Sequence, residues 1–411
     1  MARWMPEQVR TNPPPIEVDA TDGHPLGMPP AQFLRDYWQK HPLLVRQAFP
    51  AFAPPLQPDD LAGLACEEFA LARIVSHDPR SDRWSVRNGP FAEDDFARLP
   101  KTHWTLLVQD VDKWDADAAA LLAYFGFLPS WRIDDVMVSY AEDGGSVGAH
   151  VDQYDVFLLQ GLGRRHWQVS TDPDAPRGFR DDVELKLLRR FTPTHDWVLE
   201  PGDMLYLPPG LPHHGVAQGA CMTFSLGMRA PSQAEMAGDF IDHLVDALPE
   251  SARYADPDLA PARGDGEIDD AAIERVASAM PWLRLAGTDD AGIPLSSLRA
   301  WFGRFITRYR SAQVAAPPPR RIGDAALERA RTGGACVRRN PFSRVAWMRE
   351  GRGARLFVAG EAYDCSIAFA RAACSRIEFE LAAAANEVDR AVLRTLLDRG
   401  DLVLLRTRTP R

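Results

Sequence analysis

The stretch Asp134–Trp167 reads DDVMVSYAEDGGSVGAHVDQYDVFLLQGLGRRHW. At its centre stands His150-Val151-Asp152, and Arg165 follows fifteen residues after His150. In an extended chain, residues i and i+2 point to one face, so His150 and Asp152 aim an imidazole and a carboxylate at one point. Val136 to Tyr140 reads as a strand, and Glu142 to Gly148 (EDGGSVG) as a glycine-rich loop. Val156 to Gln160 and His166 to Ser170 read as two strands joined by a tight turn at Gly161-Leu162-Gly163.

Working outward, more short strands follow. They are Trp197 to Glu200, Met204 to Leu207 and Cys221 to Met228, separated by Gly/Pro turns. The run Pro208-Pro209-Gly210-Leu211-Pro212 cannot pair in a regular ladder and reads as a turn. Many short strands between such turns point to a sandwich or barrel, and a jelly roll of the cupin type fits. Upstream, Pro29–Lys40 reads as a helix, LLVRQAF after it as a strand, and residues 57–75 as helical with Leu61, Leu64 and Phe69 in the core. His103–Val111 reads as a strand and Ala116–Phe125 as a helix.

One histidine added to His150 and Asp152 makes a two-His, one-carboxylate facial triad, which leaves positions open on a ferrous ion. Pro212-His213-His214-Gly215 offers two candidates behind the proline turn, and neighbouring side chains diverge, so one of them is the ligand. A 2-oxo acid can chelate two open positions and O2 can take the third. The far carboxylate of a dicarboxylate cosubstrate then needs a fixed cation. Arg165 suits it, because a guanidinium grips a carboxylate with two hydrogen bonds. The competing reading of Arg165 is a surface ion pair. Arg164, on the opposite face, is directed to solvent.

The bulk numbers set limits. A chain of 411 residues exceeds one ordinary core, so two or three domains are expected. No apolar run is long enough for a membrane helix, and MARWMPEQVRTNPPP has no secretory h-region. Five cysteines, none in CxxC pairs, point to a reducing compartment, and so to the cytoplasm. The net charge of −10 is uneven: Pro317–Arg411 holds 18 Arg and 11 acids, a net of +7, and the remainder stands at −17. An acidic body suits a basic partner and disfavours nucleic acid as a direct ligand, so none is expected; the basic C-terminal part either touches nucleic acid or is simply a solvated, Arg-rich domain.

The expected organisation is a loose lead-in over 1–28, a catalytic β domain over 29–230, a helical region over 231–314 and a C-terminal α+β domain over 315–411. Ser232-Gln233-Ala234-Glu235 is a capping box, followed by Phe240, Ile241, Leu244, Val245 and Leu248 at helical spacing. Further helices are expected at 268–279 and 295–310. Their apolar surface is covered either by a second copy in a homodimer or by packing back on the sandwich. AAPPPRR (315–321) is a linker; beyond it, 354–360 and Leu402–Arg406 read as strands and Glu387–Asp398 as a helix. This is compatible with a winged helix.

From about Pro30 to Ala230 the sequence resembles the JmjC-type ribosomal oxygenases. The likeness rests on FLRDYWQKHPLLVRQAFP, WRIDDVMVSYA, GAHVDQYDVFLLQGLGRRHW and GDMLYLPPGLPHHG. It implies a double-stranded β-helix of the cupin/JmjC type, a helical dimerisation region and a winged-helix-like C-terminal domain. It implies Fe(II) ligands His150, Asp152 and His213, choosing His213 because the family's ligand directly follows the proline. It implies Arg165 as partner of the distal carboxylate of 2-oxoglutarate. The activity implied is hydroxylation of an arginine β-carbon in a basic large-subunit ribosomal protein, with release of succinate and CO2. Histidyl hydroxylation or demethylation at the same centre is the alternative enzyme reading. A non-catalytic cupin-like binding module or ribosome assembly factor is the alternative from another class. EDGGSVG departs from the family's PGGGVG-like loop, and its Glu142 and Asp143 are placed to meet a basic substrate or are simply solvated. Tyr140, Gln153 and Ser225 are further lining candidates.

Overall fold

The computed structural model describes residues 14–21, 24–246, 248–251, 253–257, 273–276, 295–309, 313–375 and 377–405. The chain divides into two compact units after Ala230. The first contains one 11-stranded sheet system. Its strands are β1 (Glu17–Asp19), β2 (Leu43–Arg46), β3 (Ala72–Asp78), β4 (Arg83–Asn88), β5 (Trp104–Val108), β6 (Ile133–Ala141), β7 (His150–Val151), β8 (Val156–Val169), β9 (His195–Leu199), β10 (Met204–Leu207) and β11 (Pro212–Met228). The order is β1-β2-β10-β8-β11-β6-β5-β3-β4, with β7 on β11 and β9 on β8. This is the double-stranded β-helix expected of the JmjC/cupin class.

Strands β8 (14 residues) and β11 (17 residues) run antiparallel along their whole length and link the two halves of the system. The tight turn expected at Gly161–Gly163 does not form; the strand continues through it. Six residues of β11 (Gln218 to Thr223) lie opposite five of β8 (Arg164 to Gln160), with a register shift on each side of the Met222–Leu162 pair, so the ladder slips by one overall. Glycine permits this. Gly163 has φ +61°, and a Cβ there would lie 2.0 Å from the Ala220 carbonyl oxygen. A Cβ on Gly161 would press the Phe224 ring at 2.6 Å. The slip flips the alternation of β8. Before it, Phe157 and Leu159 face the outer core; after it, Arg165, Trp167 and Val169 face the interior.

Two cores result. On the outer face, Val136, Val138, Phe157, Leu159, Phe224 and Leu226 meet Phe33, Leu61 and Phe125 from the helices. Inside, Leu44, Val156, Leu158, Trp167, Trp197, Leu199, Leu205 and Leu207 pack together. Each large side chain buried this way contributes roughly 1.5–3 kcal/mol. The helix Pro30–Asp36 starts with Pro at its first position and lays Phe33 among Tyr37, Phe157 and Tyr206.

Other readings shift for local reasons. The helix expected over 57–75 ends at Ala65, and residues 72–75 open β3. Phe69, expected in the core, is 65% exposed. The lead-in is partly ordered: Glu17–Asp19 pairs in parallel with β2, while residues 1–13 lie outside the described residues. Pro212, assigned to the turn, opens β11 opposite Val151. Among the described residues, no helix is long and apolar enough to cross a membrane.

The second unit opens with helix Gln233–Asp246, whose capping box forms: Glu235 N donates to Ser232 Oγ at 3.1 Å and Ser232 N to Glu235 Oε2 at 2.8 Å. Of the helix expected at 268–279, only 273–276 is described and helical; the rest lies outside the described residues. Helix Leu295–Arg308 packs on a sheet of β13 (Val345–Glu350), β14 (Gly353–Val358) and β15 (Glu361–Cys365), with Phe357 against Gly303. A second sheet joins β12 (Cys336–Arg339), β16 (Glu378–Glu380) and β17 (Leu402–Leu404) in the order β16-β12-β17; Arg406, expected in the last strand, lies outside the described residues. Helices Ile367–Ser375 and Glu387–Arg399 complete the winged-helix domain.

The slip predicts an asymmetry between glycines. Gly163→Ala should cost on the order of 3 kcal/mol in urea unfolding, from backbone strain plus the clash. Gly238→Ala, on an open helix face with nothing within 4 Å, should be neutral or stabilising by up to ~1 kcal/mol. Equal effects at both positions would rule out the kinked-strand explanation.

Candidate functional site

Antiparallel pairing of β7 with β11 sets His213 directly opposite His150. Asp152 follows one residue after β7, and Gly210 N donates to its carbonyl at 2.7 Å. The ligand atoms of His150, Asp152 and His213 all lie within 4.8 Å of one another. The Asp152 carboxylate is 3.6 Å from His213 Nε2 and 3.9 Å from His150 Nε2. The two imidazole centroids are 4.2 Å apart.

Each ring is held the same way. His150 Nδ1 donates to the Gly148 carbonyl and His213 Nδ1 to the Leu211 carbonyl, both at 2.9 Å. A carbonyl only accepts, so both Nδ1 atoms carry hydrogen and both Nε2 lone pairs face the centre. Burial, aided by His150 nearby, pushes the His213 pKa down to about 4, which keeps that ring neutral. His214 turns away: its Nε2 lies 3.0 Å from Ser146 Oγ, and burial lowers its pKa to about 4 as well. Strand alternation thus brings His213, and not His214, together with His150 and Asp152.

Arg165 lies on the interior face beyond the slip, 3% exposed. Its guanidinium sits over Trp167, 5.1 Å from the centroid, and Nη2 donates to the Gly215 carbonyl at 3.3 Å. Nε has no hydrogen-bond partner, and no carboxylate influences the group. Burial lowers its pKa, yet a guanidinium remains charged at neutral pH. The surface ion pair weighed as an alternative is absent among the described residues. A buried cation without an anion is costly, and a carboxylate entering beside it offsets that cost.

Two supports surround the centre. Asp155, fully buried, accepts from Tyr206 Oη at 2.6 Å and Gln39 Nε2 at 2.9 Å, with Arg132 at 3.3 Å. This fixes the chain just past Asp152 to the N-terminal helix region. The connection 171–194 crosses β7: Leu188 N donates to the Ala149 carbonyl at 2.8 Å, and Arg177 Nη1 to the Gly210 carbonyl at 2.6 Å.

Several lining candidates resolve differently. Tyr140 belongs to the outer core face and donates to Glu142 Oε1 at 2.6 Å. Asp143 accepts from Gly219 N at 2.8 Å, so both loop acids are engaged within the protein. Gln153 is exposed, and Ser225 is buried on the interior face. Sequence reading passed over Asp135. It shares the interior face with Met137 and Ser225, since Val136 and Val138 face the outer core. Burial, with Asp110 and Asp134 nearby, raises its pKa to about 7. Asp135 Oδ2 accepts from Asp110 N at 3.1 Å. The alternation of Asp135 and Met137 against two core valines was the available signal.

Comparisons with known proteins agree with this geometry. Residues 120–236 match the JmjC domain model, and residues 295–403 match the ROXA-like winged helix. The ribosomal protein uL16 3-hydroxylase of Escherichia coli (strain K12) is 38% identical over 286 residues, covering 70% of this chain and 73% of that protein. A probable ribosomal oxygenase of Haemophilus influenzae is 41% identical over 236 residues, 57% of this chain and 56% of its own length. The solved structure of YcfD, a ribosomal oxygenase from Escherichia coli, in complex with cobalt and 2-oxoglutarate aligns with a TM-score of 0.75. It is 34% identical and covers 92% of this chain and 99% of that one. By sequence and by fold, the chain belongs to the JmjC-type ribosomal oxygenases.

Proposed function

We propose that the chain is an Fe(II)- and 2-oxoglutarate-dependent oxygenase that hydroxylates an arginine side chain of a large-subunit ribosomal protein. His150, Asp152 and His213 hold the iron, and Arg165 pairs with the distal carboxylate of 2-oxoglutarate. The observation that carries this reading is the buried, acid-free Arg165 on the same interior face as three converged ligand atoms. Iron with O2 and 2-oxoglutarate supplies the oxidising power, releasing succinate and CO2. The chain's own residues do the rest. The carbonyls of Gly148 and Leu211 fix the two imidazoles, His213 stays neutral, and the inner core of Trp167, Trp197 and leucines keeps water from the cosubstrate end.

Asp135 supports an arginine target. It is a carboxyl raised to about 7 beside Asp110 and Asp134, and a substrate guanidinium arriving there would hold it ionised. The similarity to a uL16 hydroxylase supports a ribosomal protein as the class of substrate. A ribosomal substrate supports a cytoplasmic location. A homodimer is supported by the helix Gln233–Asp246, where Ile241 and Val245 are 50% and 52% exposed one turn apart.

Purified protein with Fe(II), ascorbate, 2-oxoglutarate and ribosomal proteins should release succinate in a substrate-stimulated manner, and His150→Ala should abolish it. Stimulated succinate that survives His150→Ala would refute the metal assignment. For Arg165→Met, calorimetry should find 2-oxoglutarate affinity lost by a hundredfold or more, roughly 2.7 kcal/mol. The same variant, free of ligand, should unfold at equal or higher urea, because an uncompensated buried charge is gone. Loss of stability without loss of affinity would make Arg165 a structural residue.

Asp135→Asn separates charge from shape. The folded pKa of Asp135 lies above its unfolded value, so its contribution is favourable at low pH and is lost as pH rises from about 4 through about 7. Above that window the Asn variant should be more stable than the parent, on the order of 2 kcal/mol at pH 8. Its KM for the ribosomal protein should rise while its 2-oxoglutarate affinity holds. Unchanged KM would remove Asp135 from substrate binding. Ile241→Asp with Val245→Asp should yield monomers in analytical ultracentrifugation; an unaltered sedimentation profile would discard this face as the interface.

A further inference from the structure

We propose that the β13 edge of the C-terminal domain is an RNA-backbone-binding surface. Strand β13 is the outer strand of its sheet. Trp347 and Arg349 pair with Leu356 and Ala354 and so share one face. Arg371, from helix Ile367–Ser375, lies over the Trp347 ring at 5.9 Å. Arg349 and Arg352 flank the turn at Gly351, whose φ is +55°. On the other side of the strand, Arg299 donates from Nη2 to the Arg349 carbonyl at 2.8 Å. These contacts gather Arg299, Arg349, Arg352 and Arg371 along one edge and its turn.

All four arginines are exposed, and among the described residues none is within ion-pair distance of an acid. The one acid in this strand and turn, Glu350, is taken by Arg355 at 2.9 Å. Several other arginines of the same unit are neutralised. Arg304 holds Glu361, Arg331 holds Glu328, Arg338 holds Glu378, and Arg399 holds Asp401.

Clustered guanidiniums repel one another unless an anion joins them, and their planar forks match phosphate oxygens. The half-buried Trp347 with Arg371 above it adds a planar surface on which an unpaired base can stack. A polyphosphate backbone with accessible bases satisfies both features; an acidic peptide satisfies only the charge. The choice of RNA over DNA rests on the ribosomal-protein substrate proposed above. It revises the expectation that the chain has no direct nucleic-acid ligand and takes up the alternative left open for its basic C-terminal part.

The test is fluorescence anisotropy of the full chain with a fluorescein-labelled RNA hairpin across a salt series. Affinity should fall linearly on logarithmic axes with a slope of about −3, from roughly 0.7–0.9 per phosphate contact. The Arg349→Ser/Arg352→Ser double variant should reduce the magnitude of that slope by roughly 1.5, with an unchanged circular dichroism spectrum. Arg98→Ser, an exposed arginine of the first unit, should leave it unaltered. No RNA binding at low salt overturns the proposal. So does an equal loss in Arg98→Ser, which would indicate net charge alone, or polyglutamate competing as well as unlabelled RNA, which would indicate an acidic protein partner. Hydroxylation of isolated ribosomal protein, assayed on the same preparations, should be unaffected by the double variant. If that activity is missing from the parent while RNA binding persists, the catalytic reading falls and the surface stands.

Discussion

The paired register shifts between β8 and β11 around Gly161–Gly163 decide what faces the inside of this barrel. Without the slip, β8 would keep its alternation, Arg164 would point inward and Arg165 outward. With it, Arg165 and Trp167 turn into the interior on the same strand whose first half builds the outer core with Phe157 and Leu159. The same antiparallel pairing continues to the far end of β11, where His213 meets His150. A local backbone freedom available only to glycine therefore turns Arg165 to the face that His213 shares. The two cores on either side hold that register, because a one-residue shift would exchange their contents.

The interior so defined is electrostatically unfinished. Arg165 is buried without a carboxylate partner, His213 is kept neutral, and Asp135 lies close to other carboxylates. Each costs stability in the isolated fold, and each is relieved by a group of matching chemistry: a carboxylate, a metal ion, a guanidinium. Charged groups that serve the fold are treated otherwise. Asp155 is as deeply buried as Arg165, yet Tyr206, Gln39 and Arg132 satisfy it within the chain. The contrast between satisfied and unsatisfied buried charge separates scaffold from site.

The barrel and the spacing of its ligands were readable because period-two alternation and proline turns leave direct marks in sequence. His150 and Asp152 followed from i, i+2 geometry. His213 against His214 needed either a family resemblance or the β7–β11 register, which sequence alone does not give. The kink at Gly161–Gly163 was read as a turn, since glycine pairs signal both, and only the long-range pairing with β11 distinguishes them. The 57–75 segment was taken as one helix because its apolar spacing does not show where Ala65 ends and the β3–β4 hairpin begins. Asp135 is hidden in the sequence as the second of two adjacent aspartates. Its significance comes from burial, which depends on the whole sheet.

The most direct measurement is tandem mass spectrometry of large-subunit ribosomal proteins incubated with the protein, Fe(II) and 2-oxoglutarate. The account predicts the mass of one oxygen atom added to a single arginine side chain, dependent on 2-oxoglutarate and absent with the His150→Ala variant. An oxygen added to histidine instead, loss of a methyl group, or no 2-oxoglutarate-dependent change in any of these proteins would contradict it.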